Sequence, residues 1–135
     1  METISTAYQF LFSIAAALLL TQLPYVGKFF KVINTLIHES AHALTALLLN
    51  AEVIQIELFS NTSGTALTKT GSKWKRFFIS FSGYPLSTAI AWLLYYIAIK
   101  EWYFTGLIGL LLITILNLTF FVRNIYGIFW LITYG

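Results

Sequence analysis

Apolar positions in this chain gather into long runs, not into one face of short elements. The runs cover residues 8–25, 29–50, 77–99 and 104–122. Each is near the ~20 residues that a helix needs to cross a hydrocarbon core of ~30 Å. Polar positions punctuate them. Pro24 closes the first run, and Lys28 and Lys31 open the second. Lys73, Lys75 and Arg76, with Trp74, precede the third. Lys100, Glu101, Trp102 and Tyr103 separate it from the fourth, which Arg123 ends. Basic and aromatic residues at the ends of apolar runs mark membrane interfaces. The first run has Glu2 where a signal peptide would be basic, and no clear small-residue cleavage site, so it reads as a retained span.

Residues 52–70 break this pattern. Val53 to Phe59 alternates with period two, Asn61 to Gly64 carries turn residues, and Thr65 to Thr70 alternates again. The pattern predicts a β-hairpin with a loop of about four residues. Lying between two spans, its backbone must be paired, so it packs on protein or sits at the surface. Within the third run, Ser82-Gly83-Tyr84-Pro85 is expected to kink or loosen the helix. Beyond Arg123, the apolar segment 124–135 is too short to cross as a helix, and the chain is expected to stop inside an element. The expectation is a polytopic α-helical membrane protein. It has about four transmembrane helices and a β-hairpin between the second and third, in a single membrane-embedded domain, 1–135. The basic cluster from Lys69 to Arg76 favours a cytoplasmic side for that loop and for the amino terminus.

Composition agrees: 59% of residues are hydrophobic and 10% charged, against ~25% charged in soluble domains. The lipid bilayer is therefore the first partner. Nucleic acid is excluded as one, because no basic stripe is interleaved with exposed aromatics. The absence of cysteine removes disulfides and thiolate metal sites, leaving nitrogen and oxygen as metal donors. All five acidic residues are glutamates (Glu2, Glu39, Glu52, Glu57 and Glu101), and there is no aspartate.

The candidate chemistry lies in the second run. His38, Glu39 and His42 form the pentapeptide HESAH, which contains both histidines of the chain. Residues four apart stack on one helix face, so His38 and His42 can share one zinc ion. Glu39, about 100° further round, reaches a water beside the metal and not the metal itself. Measured from Lys28, His38 lies roughly 15 Å into the run, near mid-depth. The competing reading is a pair of structural histidines bonding neighbouring helices, with Glu39 a protonated buried carboxyl.

HESAHALTALLLNAEV resembles the zinc helix of the site-2 protease family of intramembrane zinc metalloproteases, in its compact peptidase M50B-like branch. VIQIELFSNTSGTALT resembles the hairpin that follows that helix. FSGYPLSTAIAWLL resembles the next helix, and RNIYGIFWLITYG the segment after the following span. The resemblance covers about residues 28–135. It implies intramembrane proteolysis of a membrane-protein or peptide substrate by an integral protein, expected in a bacterial plasma membrane. It also implies zinc as cofactor, His38 and His42 as ligands, and Glu39 as the catalytic acid/base. The family's third protein ligand is an aspartate on a later helix, which this chain lacks. Glu52, Glu57, Glu101, Asn117 and Asn124 are the remaining oxygen donors to consider, and none is favoured. The alternative is a non-catalytic site-2-protease-like membrane scaffold or regulator, with or without metal. A metal transporter would need more ligands along a path.

Overall fold

The computed structural model describes the backbone of residues 2–134 and the burial of residues 7–133. In chain order the elements are α1 (Glu2–Gln22), α2 (Pro24–Leu48), β1 (Glu52–Leu58), β2 (Gly64–Lys69), α3 (Lys73–Ile99) and α4 (Tyr103–Leu116). A π-helical turn (Asn117–Phe121) and α5 (Ile125–Tyr134) follow.

Pro24 does not simply end the first apolar run. It opens α2 as a first-turn residue, where its missing N–H would have no intrahelical partner in any case. α1 and α2 meet there at an angle of 101°. Two helical stretches, Lys73–Ile99 and Tyr103–Phe121, are each long and apolar enough to cross a membrane. A third crossing is counted if the bent pair Ala7–Gln22 and Pro24–Leu48 forms one span. Among the described residues, two or three candidates thus stand against the four expected spans. α2 is long enough alone, but Lys28, Lys31, Glu39 and the two histidines make it too polar to qualify by itself.

α2 ends in a Schellman motif. Ala51 N–H donates to the Ala46 carbonyl and Asn50 N–H to that of Leu47, while Asn50 takes φ 51°. The same device ends α3, with Glu101 at φ 60° and Trp102 N–H donating to the Ile97 carbonyl. Asparagine tolerates the left-handed region better than glutamate does. Ser72 caps the start of α3 by accepting from Lys75 N–H. α3 is helical throughout, including Pro85, so the expected loosening at Ser82–Pro85 is not a break.

The hairpin is as expected in kind. β1 and β2 pair antiparallel from Glu52↔Lys69 to Leu58↔Gly64, with Ile54 bulged out, and five residues join the strands. The hairpin folds back along α2. Thr35 Oγ1 donates to the Thr62 carbonyl at 2.7 Å, pinning the loop to α2. The other edge of β1 is filled too. Ile56 bridges Val122 in parallel, Leu58 N–H donates to Asn124 Oδ1, and Asn124 Nδ2 donates to the Leu58 carbonyl. The outer edge of β2 pairs with no strand among the described residues.

Val32, Leu36, Glu39, Ala43 and Ala46 fall on one stripe of α2 and are all buried. Val32, Leu36 and Ala43 pack with Ile56 and Leu58 of β1, with Val122, and with Trp130 and Leu131 of α5. α4, in contrast, buries only Gly106 and is apolar all round, the pattern of a helix facing lipid. Packing between elements inside a bilayer rests on close contact and hydrogen bonds more than on expulsion of water.

Candidate active site

α2 presents three faces, and each meets a different neighbour. His38 and His42 face α3. Their Nε2 atoms converge to 3.1 Å, with the rings nearly perpendicular. Two nitrogens at zinc–nitrogen bond lengths of ~2.05 Å in a tetrahedral shell lie roughly 3.3 Å apart, so the pair has the spacing of two ligands on one ion. His42 Nδ1 lies 2.6 Å from the Ile79 carbonyl of α3. A carbonyl only accepts, so Nδ1 carries the proton and Nε2 offers its lone pair. Ser82 Oγ donates to the same carbonyl at 2.7 Å and lies 3.5 Å from His42 Nδ1.

Gly83 completes this face. A β-carbon there would lie 2.5 Å from His38 Nε2 and 2.6 Å from His42 Cε1. Any side chain would fill the space in front of the two nitrogens. The Tyr84 ring packs edge-on against His38, with centroids 4.6 Å apart. The sequence marked Gly83 only as a possible kink. A glycine in mid-helix is the available signal for close approach, but nothing in the chain says what approaches.

Glu39 lies on the neighbouring face, under the hairpin. It is buried, and its Cγ would lie 3.0 Å from a β-carbon at Gly64, the first residue of β2. That glycine lets the strand lie directly over the Glu39 side chain. A cleft of about 290 Å³ opens between β2 and the start of α3, lined by Glu39, His42, Thr65, Ala66, Ile79 and Ser80 among others. The buried Glu39 side chain, the His42 imidazole and strand β2 thus share one opening.

The third face explains the other oxygen donors. Position 40 is about 180° around α2 from the midpoint of His38 and His42. Ser40 Oγ lies 3.1 Å from Asn117 Oδ1, and Asn117 Nδ2 donates to the Ile113 carbonyl. Asn117, at a suitable depth, is therefore held on the opposite side of the helix. Glu57 points to the outer face of the hairpin, where it accepts from Gln55 Nε2 at 2.7 Å. Glu52 begins β1, not an extension of α2, and lies 3.9 Å from Lys69. Glu101 sits in the α3–α4 turn, and Asn124 is held by the backbone of Leu58. Among the described residues no group of three or more His, Cys, Asp or Glu side chains is placed to hold a metal ion. The histidine pair fits a metal as two of its donors, on the 3.1 Å spacing and the cradle at Gly83.

Compared with known protein families, the chain matches the one described as Peptidase M50B-like over residues 11–135. No curated protein and no solved structure matches it.

Proposed function

The chain belongs to the Peptidase M50B-like family of site-2 proteases, and on that premise we propose that it hydrolyses a peptide bond in a membrane-associated substrate as an intramembrane zinc metallopeptidase. The observation that carries this reading is the convergence of His38 and His42 Nε2 at 3.1 Å beside the buried Glu39. His38 and His42 would hold zinc. When bound, the metal would polarise the scissile carbonyl as a Lewis acid and lower the pKa of the attacking water. Glu39 takes the proton from that water and returns it to the leaving amine. The Ile79 carbonyl keeps His42 in the tautomer that faces the cradle.

The open edge of β2 supplies the remaining requirement. A peptide bond inside a helix is shielded by its own backbone hydrogen bonds. A segment that pairs with β2 stays extended, keeps its polar groups satisfied at membrane depth, and runs along the cleft that holds Glu39 and His42.

A second reading, a non-catalytic membrane scaffold of the same fold, is favoured by one observation: no aspartate exists, and the remaining described donors are engaged away from the histidine pair. The test compares wild type with Glu39→Gln in proteoliposomes containing helical membrane peptides, with zinc content measured in parallel. Peptidase activity predicts cleavage by wild type and none by the variant, with zinc retained in both. Cleavage by Glu39→Gln would sink the acid/base role. Zinc without cleavage in wild type would support the scaffold.

A further inference from the structure

We propose that the bend between α1 and α2 carries a binding site for the phosphate of an anionic phospholipid headgroup. Two clefts flank the first turns of α2. One, of about 290 Å³, is lined by Thr21 at the end of α1, by Lys28 and Lys31, and by Ser60, Asn61 and Thr62 of the hairpin loop. Three separate elements thus converge on a hollow lined by two lysines and, among the described residues, by no acidic side chain. Among the described residues the one ion pair is Lys69 with Glu52, so no described carboxylate pairs with Lys28 or Lys31. Lys28 Nζ lies 5.8 Å over the Tyr126 ring, on the side of the neighbouring cleft, and keeps its charge there. The loop is preorganised, because Thr35 holds the Thr62 carbonyl and Asn61 Oδ1 accepts from Ser63. The hydroxyls of Ser60 and Thr62 are the neutral donors at this rim, whereas Thr21 Oγ1 donates to the Leu18 carbonyl.

The surroundings select a lipid over a soluble anion. The second cleft, of about 320 Å³, shares Lys28 and is walled by Tyr25, Tyr126, Phe129 and Trp130. Such rings sit at headgroup level in membranes. The last turns of α1, next to Thr21, expose Leu18, Leu19 and Leu20. A hollow lined by two lysines, bordered by interfacial aromatics and then by an apolar helix, follows the order of a phospholipid from phosphate through glycerol to acyl chain. A lipid seated there bridges α1, α2 and the hairpin loop. This proposal stands apart from the peptidase reading.

The test is native mass spectrometry of the full chain released from detergent, titrated with phosphatidylglycerol, phosphatidylcholine or inorganic phosphate. A lysine near an anionic headgroup is worth about 1 kcal/mol, or roughly fivefold in affinity. Lys28→Gln/Lys31→Gln should therefore weaken phosphatidylglycerol binding by about 25-fold. A Lys73→Gln/Lys75→Gln control should change it less than about twofold, and phosphatidylcholine should bind about tenfold more weakly to wild type. Equal losses in the two double variants, equal binding of the two lipids, or displacement of the lipid by inorganic phosphate would each overturn the proposal. If circular dichroism shows the first double variant unfolded, Lys31→Gln alone is read instead, with a loss of about fivefold expected and no loss counting against the site.

Discussion

Gly83 of α3 and His38 of α2 are so close that a β-carbon on the glycine would lie 2.5 Å from the histidine Nε2. Two helices of a membrane protein can approach this closely only where one has no side chain. Here the approach places the α3 backbone against the two histidines proposed to hold zinc, and the Ile79 carbonyl, four residues earlier, orients His42.

Gly83→Ala should therefore act on the metal before it acts on the fold. The added methyl forces the two imidazoles apart or pushes α3 away. Overpacking of this kind costs about 1–3 kcal/mol. The expected result is loss of zinc from purified protein, with a modest fall in Tm. Zinc content and affinity equal to wild type would show that the rings relax without losing their convergence.

The histidine pair itself is tested by stoichiometry. Near one zinc per chain is expected after reconstitution in detergent, on the reading of one ion shared by both rings. His38→Ala/His42→Ala should bind none. Elemental analysis of both proteins decides, and zinc retained by the double variant would place the metal elsewhere.

Asn117 separates a ligand from a structural residue. It bonds with Ser40 on the face of α2 opposite the histidines. Asn117→Leu should leave zinc content unchanged. It removes one interhelical hydrogen bond, worth about 0.6 and at most ~1.7 kcal/mol in a membrane. A small fall in Tm at constant zinc is the expected outcome. A large loss of zinc would make Asn117 part of the metal centre.

Much of the architecture was legible because its causes are local. The hairpin follows from alternation around Asn61 to Gly64, and the mutual placement of His38, Glu39 and His42 follows from helix geometry alone. Interfacial Lys28, Trp74 and Trp102 mark where the apolar runs end. The limits of local reasoning appear at Pro24. The sequence determined that a helix ends near it. It did not determine that the next begins on Pro24 itself and turns by 101°. A proline tolerates both roles, and which it plays depends on what the following turn packs against.

The sequence by itself thus determined the hairpin, long apolar helices suited to a membrane, and a histidine pair with a glutamate on one helix. Tertiary structure decided what each face of that helix meets. It sent Ser40 to Asn117, Glu39 under Gly64, and the histidines to Gly83 and the Ile79 carbonyl. It also placed residues 122–124 along one edge of β1, leaving the edge of β2 open beside Glu39. Spacing along a chain sets direction around one helix axis. Which neighbour lies in that direction depends on contacts between residues tens of positions apart, and a backbone carbonyl or a missing β-carbon leaves no mark in hydropathy or periodicity.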